Sequence, residues 1–551
     1  MGNKPMRFSL SVVSLLLVAA PERLRPETAA EALITEDVLR AHDRFLSSDL
    51  LEGRAPATRG DALAEAYLIS QFEMLGLKPG GSDGYLQPFE LLGVFGHPDV
   101  LTFSAMGQSL ALHVPDEAIA SSGAAVEQTR LAGAEVVFVG YGIQAPEYSW
   151  DDFKGMDVHG KVLLVMNNDP SDDPALFGGK TRLYYGRWTY KMEMGQRLGA
   201  AGVIVIHTDA SAGYPWQVVR TSWSGEQFFL PSPDLGPPLR AWVTEEACRR
   251  LVALGGKDLD ALRRSAEQRE FRPVPLGVTL STAFTSTVRR THSANVLAIL
   301  PGSDPRRAAE YVVYTAHHDH LGMKANAPPG EDAIYNGAVD DAGGVSQLLA
   351  VARAFASLPK RPARSILFAA VGAEEKGLLG SEYLVRHPPV PLGQLAVDIN
   401  MDGFKIFGAT RDVAVLGLGK TSLDKTLAAL ARAQGRVLVA DNFPEQGHFY
   451  RSDQFSFARG GVPALHYYSG VDAVGRPPGW GRAQQDAWVA KHYHQPSDEL
   501  RADWDLAGAV QDARLYFTLG YAVAQAKALP TWVPGDEFEA AGKAIRSVVV
   551  H

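Results

Sequence analysis

Five nearly continuous apolar runs follow one another in the second half of the chain, and they constrain its fold more than any other feature. They read NVLAILPG (295–302), YVVYTA (311–316), SILFAAVG (365–372), LAVDINMD (395–402) and DVAVLGLG (412–419). Between the second and third, GGVSQLLAVARAFASLP spaces its apolar residues at helical intervals. Strands that lack a polar face are covered on both sides. The pattern therefore predicts an α/β fold with a mixed, mainly parallel sheet covered by helices on both faces.

Short β-type runs between residues 129 and 284 predict a second, β-rich domain inserted into the first. They read AEVVFVGYG (134–142), GKVLLVMNND (160–169) and AGVIVIHTD (201–209). Ahead of them, residues 37–78 carry apolar residues at helical spacing. We therefore expect residues 31–128 to begin the main domain, residues 129–284 to form the insert and residues 285–551 to complete the main domain.

The first residues have the pattern of an export signal. Lys4 and Arg7 precede an apolar run, Phe8–Ala20, that has the length of a signal-peptide core and is too short to cross a bilayer comfortably. We expect residues 1–30 to be removed and the mature chain to be periplasmic or secreted, without a later membrane span. The alternative is a disordered or core-packed N-terminal helix. Cys248 is the only cysteine, which excludes an intrachain disulfide.

The overall charge argues against one class of partner. The chain has 53 Lys and Arg against 62 Asp and Glu, a formal net charge of -9, and it contains no long run of one sign. Proteins that bind nucleic acid present a basic surface to the phosphate backbone. The sequence therefore predicts no nucleic-acid partner.

Polar residues follow the apolar runs at the points where the strands should end. Ligands in α/β sheets gather beyond the carboxyl ends of the strands, so these side chains should lie in one crevice. A loop before the helix at 343–357 and a segment near the end of the sheet region add further candidates. The full set is His317, Asp319, Asp340, Asp341, Glu374, Glu375, Asp402 and His494.

The composition of this set predicts a metal site. Each residue taken alone has an ordinary reading, such as a helix cap or a solvated charge. Together they would place several carboxylates at the mouths of buried strands, which costs several kcal/mol unless they are paired or metal-bound. Histidine and carboxylate ligands without cysteine fit zinc, or less specifically manganese or cobalt. Two histidines and three carboxylates suit two metals that share one carboxylate, and the doublet Glu374-Glu375 offers one ligand and one free base.

The motifs resemble those of the M28 family of co-catalytic zinc aminopeptidases. Five of them occur in family order: HHDHLG (317–322), NGAVDDAGGV (336–345), GAEEKGLLGS (372–381), NMDG (400–403) and YHQPSDE (493–499). The resemblance implies two zinc ions per chain. One would be held by His317, Asp340 and Asp402, and the other by Asp340, Glu375 and His494, so that Asp340 bridges.

The resemblance also implies roles for residues that do not bind metal. Glu374 would act as a general base and then a general acid. Asp319 would accept the second N–H of His317 and so fix its tautomer. A strained, cis Asp340-Asp341 peptide is expected in this family. Alternation along the strand predicts that His318 packs away from the site, whereas His320 is expected to be a supporting or loop residue.

Two further segments extend the resemblance over most of the chain. FYRSDQFSFARGGVPAL resembles an Arg-Ser-Asp-His stretch beside the substrate pocket, with Gln454 in place of the usual His, and it makes Arg451 and Asp453 candidate substrate ligands. FKGMDVHGKVLLV and MGQRLGAAGVIVIHT resemble a protease-associated domain, so the insert at 129–284 is expected to be one. It would either roof the cleft and restrict substrate length or serve as a packing module.

The sequence thus predicts an exported di-zinc aminopeptidase whose partners are peptides with a free N-terminus. A carboxypeptidase or a glutaminyl cyclase on the same framework is the second reading. A cyclase holds a single zinc and lacks the full bridging set, and such carboxypeptidases usually add a helical dimerisation domain, for which few residues remain after His494. A metal-free binding protein on this scaffold is the third, although relatives of that kind lose ligands that are present here.

Overall fold

The computed structural model describes residues 26–233, 235–324 and 327–548. Most of the predicted export signal, residues 1–30, therefore lies outside the described residues. Its last part, Pro26–Glu31, is a short helix. No helix among the described residues is long and apolar enough to cross a membrane.

The strands of the described residues are numbered in chain order. They are β1 (Lys78–Pro79), β2 (Leu86–Phe95), β3 (Val100–Ala105), β4 (Gln108–His113), β5 (Ala118–Ser122), β6 (Gln128–Phe138), β7 (Gln144–Ala145), β8 (Trp150–Asp151), β9 (Val162–Met166), β10 (Gly202–His207), β11 (Gln227–Phe229), β12 (Leu239–Thr244), β13 (Val274–Thr285), β14 (Thr287–Leu300), β15 (Tyr311–His317), β16 (Gly322–Met323), β17 (Ile334–Tyr335), β18 (Ser365–Val371), β19 (Leu395–Asn400), β20 (Asp412–Leu416), β21 (Val437–Ala440) and β22 (Ala464–Ser469).

The α-helices of the same residues are numbered likewise. They are α1 (Pro26–Glu31), α2 (Glu36–Leu46), α3 (Arg59–Met74), α4 (Trp188–Arg197), α5 (Asp209–Ala212), α6 (Trp216–Trp223), α7 (Glu245–Leu254), α8 (Leu259–Ala266), α9 (Gly344–Ala356), α10 (Leu379–Arg386), α11 (Asp424–Ala433), α12 (Gln454–Arg459), α13 (Trp480–Lys491), α14 (Ala507–Gln525) and α15 (Glu539–Val548).

The main sheet has ten strands in the order β11-β2-β14-β18-β15-β19-β22-β20-β21, with β1 paired to β14. Its four central strands, β18, β15, β19 and β22, pair in parallel, as do β20 and β21. The other neighbours pair antiparallel. The predicted mixed α/β sheet is confirmed, with four parallel and five antiparallel pairings rather than mainly parallel ones, and all five apolar runs form strands in it. Helices lie between the parallel strands along the chain, with α9 between β15 and β18 and α11 between β20 and β21, as parallel pairing requires a crossover.

Helices cover both faces of the main sheet, because the side chains of each strand alternate between two hydrophobic clusters. Val312 and Tyr314 of β15 point into a cluster that includes residues of α2, α3, α9 and α14. Val313, between them, points into a cluster on the other face that includes residues of α10 and α12. This two-sided burial explains why the strands carry no polar face. It also leaves the strand ends as the place where polar groups can collect.

A second sheet of eight strands has its own hydrophobic core. Its order is β4-β3-β13-β6-β9-β10-β12-β5, and its core contains Val136, Leu164, Ile204 and Trp242. This sheet starts at Val100, before the boundary expected at residue 129. The sequence did not indicate the earlier start because β3 joins the sheet by pairing with the distant β13. We call the residues 100–285 that carry this sheet the inserted lobe.

The inserted lobe is tied to the main sheet by one of its own segments. Strand β11 lies within the lobe's sequence but pairs antiparallel with β2 of the main sheet. Helix α6, directly before it, is therefore held close to the edge of the main domain where the central strands end. The assignment of this lobe as a protease-associated domain stays a prediction.

Candidate active site

The candidate site lies at the carboxyl ends of the central parallel strands. His317 is the last residue of β15, Glu374 and Glu375 follow β18 after a short turn, and Asp402 follows β19. Because β18, β15 and β19 run in parallel, their ends meet at one edge of the sheet. The side chains that the sequence predicted to converge are therefore brought together by the strand order itself.

Asp340 lies between two histidines that come from distant parts of the chain. Its Oδ1 lies 3.2 Å from Nε2 of His317, and its Oδ2 lies 3.0 Å from Nε2 of His494. The same nitrogen of His494 lies 3.2 Å from Oε2 of Glu375, and Nε2 of His317 lies 3.8 Å from Oδ1 of Asp402. The carboxylate of Asp340 thus directs one oxygen to His317 and the other to His494.

The loop that carries Asp340 is held by a buried carboxylate that the sequence analysis did not single out. Both carboxylate oxygens of Asp498 accept backbone hydrogen bonds, at 2.9 Å from the nitrogen of Val339 and at 3.2 Å from that of Asp340. Burial raises the pKa of Asp498 to about 7. Asp498 lies in the motif YHQPSDE, four positions after His494. The same motif therefore supplies His494 and the carboxylate that holds the backbone of Asp340, which faces His494.

Arg54 supports the same loop from the other side. Its buried guanidinium group donates to the backbone carbonyls of His318 at 2.9 Å, Asn336 at 2.7 Å and Gly337 at 3.1 Å. One cation therefore joins the end of β15 to the start of the loop. The sequence contains this arginine in LSSDLLEGR, but nothing local to that segment indicates where it points.

Asp341 lies beside the cluster and is occupied by backbone donors. Its carboxylate accepts hydrogen bonds from the backbone N–H groups of His317 at 3.1 Å, Gly344 at 2.8 Å and Gly403 at 2.7 Å. The Asp340-Asp341 peptide is cis, as the resemblance implied. A Cβ on Gly344 would lie 2.1 Å from Oδ1 of Asp341, so only glycine fits where α9 begins against this carboxylate.

Asp319 supports the site differently from the expected way. Its backbone carbonyl oxygen lies 3.1 Å from Nδ1 of His317, whereas its carboxylate Oδ1 lies 3.7 Å from that nitrogen. The carboxylate instead accepts the backbone N–H groups of Glu374 at 2.9 Å and Glu375 at 3.3 Å. The expected carboxylate–histidine hydrogen bond is therefore corrected to a contact with the carbonyl, because the chain turns after β15 and brings the carboxylate under the Glu374-Glu375 turn.

The two remaining histidines of the HHDH stretch have separate partners. His318 points away from the cluster, as expected, and its Nε2 lies 3.1 Å from Oδ1 of the buried Asp61 on α3. His320 is also buried, and its Nδ1 lies 2.6 Å from Oε1 of Glu375. The structure therefore places His320 against the cluster itself rather than in an outer loop.

The electrostatics of the cluster separate its carboxylates. Burial alone would raise the pKa of Asp340, but hydrogen bonds from His317 and His494 outweigh it and hold that pKa well below its usual value. Glu374 makes no such bond, so burial and the neighbouring charge of Glu375 raise its pKa well above the usual range, against the opposing effect of His317. Glu374 thus favours a proton, as does Asp341, whose pKa burial also raises well above its usual value.

The predicted substrate ligands have different positions. Arg451 lines both cavities that adjoin the cluster, and its guanidinium carbon lies 5.1 Å from the centre of the Tyr214 ring. Asp453 is completely buried and lines neither cavity, so a direct contact with a substrate is not open to it. Burial raises the pKa of Asp453 to about 7. The structure therefore does not support the expected role of Asp453 as a peptide ligand.

Two cavities meet at the cluster. The inner cavity, of about 200 Å³, has an aromatic and aliphatic wall beside Asp340 and Asp402. The interlobe cavity, of about 340 Å³, lies between the inserted lobe and the main domain and is bounded by Arg187, Ser222 and Glu374, among others. Both cavities include Tyr214, Glu374, Arg451, Tyr493 and His494 in their walls. A ligand at the cluster can therefore extend in two directions.

The inserted lobe also touches a residue of the cluster directly. The hydroxyl oxygen of Ser222, in α6, lies 2.8 Å from Nδ1 of His494, whose other nitrogen faces Asp340. The pair spans the interface between the lobe and the main domain. No local motif indicates this contact, since the two residues are far apart in the sequence.

The donor set fits divalent cations. Ligand atoms of His317, Asp341 and Asp402 lie within 4.8 Å of one another, as do those of His320, Asp340 and Glu375. Asp341 is already occupied by three backbone donors, which leaves Asp340 as the better ligand. Oε1 of Glu375 makes no well-aligned hydrogen bond among the described residues, although Nδ1 of His320 lies 2.6 Å from it, and a cation would compensate this buried oxygen. Nitrogen and oxygen donors without sulfur match zinc.

Comparisons with known proteins agree with the arrangement of these motifs. Residues 295–518 match the family described as Peptidase family M28. Over 137 residues the chain is 33% identical to "Aminopeptidase NAALADL1" of Rattus norvegicus, with 23% of this chain and 16% of that protein aligned. Over 99 residues it is 40% identical to a "Probable zinc metalloprotease" of Pyricularia oryzae, with 17% of each aligned. The chain thus spans about a sixth of the length of these curated relatives.

A solved structure has a similar fold over nearly the whole chain. The aminopeptidase from Aneurinibacillus sp. strain AM-1 aligns with a TM-score of 0.54 over 93% of this chain and 97% of that one, at 19% sequence identity. At this identity the likeness concerns the fold alone. Residues 295–518, which match peptidase family M28, contain all five motifs that the fold brings to one edge of the sheet.

Proposed function

We propose that this chain is an aminopeptidase that uses two zinc ions to remove the N-terminal residue of a peptide. One observation carries the proposal: Asp340 directs Oδ1 to His317 at 3.2 Å and Oδ2 to His494 at 3.0 Å. A carboxylate with one oxygen on each side suits a ligand shared by two cations. The zinc ligands would be His317, Asp340, Asp402, Glu375 and His494.

Bound zinc would acidify a water molecule and polarise the carbonyl of the scissile bond. The chain itself supplies the proton transfers. Glu374 lines both cavities, its carboxylate accepts no hydrogen bond from the described residues and its pKa is raised, so it can take a proton from the attacking water and pass it to the leaving amine. Asp319 holds the backbone of Glu374 and so acts as a positioning residue.

The inner cavity is the proposed place for the side chain of the N-terminal residue. Its wall is largely apolar and aromatic and includes Phe404, Ile406, Phe407, Tyr468 and Trp488. The scissile bond would lie at Glu374, which both cavities share, and the rest of the substrate would extend into the interlobe cavity. We expect apolar N-terminal residues to be preferred because the wall offers them a favourable transfer from water.

The cellular location of the enzyme and the role of the inserted lobe are proposed from the sequence. The N-terminal pattern supports export to the periplasm or the medium, and the inserted lobe, as a protease-associated domain, would restrict the length of substrates because it covers the cluster.

The test compares substrates with free and acetylated N-termini. An aminopeptidase hydrolyses aminoacyl p-nitroanilides and free peptides but leaves their acetylated forms intact. Cleavage of the acetylated peptides from the C-terminus would favour a carboxypeptidase, and ammonia release from N-terminal glutamine a cyclase. Purified protein should contain about two zinc ions per chain, whereas the absence of metal from active preparations would contradict the mechanism.

Substitution of the proposed base gives a sharper test. Glu374→Gln should lower kcat by about 10²–10⁴-fold, because the amide cannot accept the proton, while zinc content is retained. Glu382→Gln is the matched control, since Glu382 lines the interlobe cavity but forms an ion pair with Arg386. Equal activity of wild type and Glu374→Gln would refute the assignment of the base.

A further inference from the structure

Two arginines in the interlobe cavity lack carboxylate partners. Among the described residues, no carboxylate oxygen forms an ion pair with Arg187 or Arg451, and Nε of Arg187 is buried without a hydrogen-bond partner. Arg459, which lines the same cavity, has one, because its Nη1 lies 3.6 Å from Oε1 of Glu193. Arg386, on the same wall, is paired with Glu382. Arg187 and Arg451 are therefore unpaired, whereas Arg386 and Arg459 in the same cavity wall form ion pairs.

Aromatic side chains rather than paired carboxylates contact both guanidinium groups, and Arg451 also donates a hydrogen bond to the hydroxyl of Tyr493. The guanidinium carbon of Arg451 lies 5.1 Å from the centre of the Tyr214 ring, and that of Arg187 lies 5.7 Å from the centre of the Trp188 ring. Such contacts orient a guanidinium group without neutralising it. Burial, and next the charge of Arg451, lower the pKa of Arg187 to about 10, so it stays charged near neutral pH.

The carboxylates of the cluster do not neutralise this pair once they serve the metals. In the proposed function, Asp340, Glu375 and Asp402 bind zinc and Glu374 handles protons. Two half-buried positive charges in the wall of one cavity then have no carboxylate in an ion pair with them, and an anion that binds both would be favoured. The planar fork of a guanidinium group matches a carboxylate with two parallel hydrogen bonds. A ligand carboxylate is therefore the group that this part of the cavity fits.

The position of the pair tells which part of a substrate would carry the carboxylate. Arg451 and Glu374 belong to both cavities, whereas Arg187 belongs to the interlobe cavity only. If the N-terminal side chain occupies the inner cavity, the residue after the scissile bond lies beside Arg187. A cavity of about 340 Å³ is at the small end of ligand pockets, which range over about 300–1,000 Å³. It suits a short leaving group.

We propose that Arg187 and Arg451 bind a carboxylate on the residue that follows the scissile bond, so that the enzyme prefers dipeptides or peptides with an acidic second residue. The inference rests on the proposed function and adds its substrate class. The carboxylate can be the free C-terminus of a dipeptide or the side chain of Asp or Glu, and both offer the same chemistry to the two arginines.

The experiment compares four substrates with one N-terminal residue, chosen as the one whose p-nitroanilide is hydrolysed fastest. They are Xaa-Gly, Xaa-Gly-amide, Xaa-Asp-amide and Xaa-Asn-amide. Wild-type enzyme should show kcat/KM at least about tenfold higher for Xaa-Gly than for its amide, and for Xaa-Asp-amide than for Xaa-Asn-amide. A preference in the first pair alone assigns the site to the C-terminal carboxylate, and a preference in the second alone assigns it to an acidic side chain.

Substitution then identifies the residues. Arg187→Gln should remove the preference by lowering kcat/KM for the carboxylate substrates about tenfold or more, while the two neutral amides change less than about threefold. Hydrolysis of the neutral amides shows that the variant is folded and its catalytic centre intact. Arg459→Gln is the control on the same wall and should keep the preference.

Two results would overturn the inference. Equal kcat/KM for the charged and neutral members of both pairs in the wild type would contradict it without any variant. An equal loss on all four substrates in Arg187→Gln would also contradict it. Neither result touches the proposed function, which fails only if no substrate with a free amine is hydrolysed.

Discussion

At the residue scale, partners rather than residue type decide what each buried histidine does. His317 faces Asp340, His318 faces Asp61, and His320 faces Glu375, although all three lie within four positions. Burial alone would lower the pKa of His317, but the charges of Glu374 and Asp341 outweigh it and raise that pKa well above the ordinary value. A histidine in such a position is either a cation or a ligand to one.

His42 forms no ion pair with a carboxylate of the described residues and provides a test of pH dependence. Its Nδ1 lies 2.9 Å from the hydroxyl oxygen of Tyr67, and burial, with the charge of Arg353, lowers its pKa from 6.5 to about 4. The folded state thus disfavours the charged form of His42. The contribution of neutral His42 to the free energy of unfolding is therefore complete above the unfolded pKa of 6.5 and is lost as the pH falls from 6.5 towards 4.

We expect protonation of His42 to lower the free energy of unfolding by about 2 kcal/mol as the pH falls from about 8 to about 5. His42→Gln should therefore lose less thermal stability than wild type over that range, as measured by the unfolding midpoint at each pH. His159→Gln, an exposed histidine, is the control and should follow the wild type. Parallel midpoint curves for wild type and His42→Gln would exclude this contribution.

At the element scale, short segments position the site as much as the strands do. The central strands carry His317 and Asp402 to one edge, but the loop with Asp340 needs Asp498 and Arg54 to hold its backbone. Helix α6 of the inserted lobe supplies Ser222, whose hydroxyl oxygen lies 2.8 Å from Nδ1 of His494. The partner of the second ring nitrogen fixes the orientation of a metal-binding histidine.

Ser222→Ala should weaken zinc retention. With the hydroxyl removed, the His494 ring loses the partner that holds it, and loss of such a partner typically lowers metal affinity about 10–100-fold. The measurement is zinc content after equilibration with a graded chelator, independent of activity. Ser224→Ala is the matched control, since its hydroxyl donates to the backbone of Arg220 at the end of the same helix. Identical zinc retention in the two variants would remove Ser222 from this role.

At the scale of the whole molecule, two sheets with separate cores enclose the cluster. The main core and the core of the inserted lobe are distinct, and the interlobe cavity lies where they face each other. The lobe contributes Arg187, Tyr214 and Ser222 to the walls around the site. Ligands at the cluster therefore contact both halves of the molecule.

Removal of metal should destabilise the fold. Buried carboxylates around Asp340 repel one another without cations, and a ligand that binds only the folded state adds stability in proportion to the logarithm of its saturation. We expect a chelator to lower the thermal midpoint by about 5 °C or more and added zinc to restore it. In Asp340→Asn, which lacks the proposed shared ligand, the chelator should have little effect. An unchanged wild-type midpoint after verified removal of zinc would contradict this coupling.

Much of the fold could be predicted from the sequence because its signals are local. The apolar runs that became β14, β15, β18, β19 and β20 show two-sided burial residue by residue. Polar residues directly after them had to lie at the strand ends, so the gathering of His317, Glu374 and Asp402 followed from strand order. The motif order also indicated a resemblance to peptidase family M28, and residues 295–518 match that family.

Only the tertiary structure decided the contacts between distant segments. The sequence could not show that β3 pairs with β13, that Asp319 offers its carbonyl to His317, or that Asp453 is buried away from both cavities. It also gave no sign that Ser222 reaches His494 across the lobes. The physical reason is that periodicity records whether a side chain is buried, whereas its partner depends on how remote loops close over it.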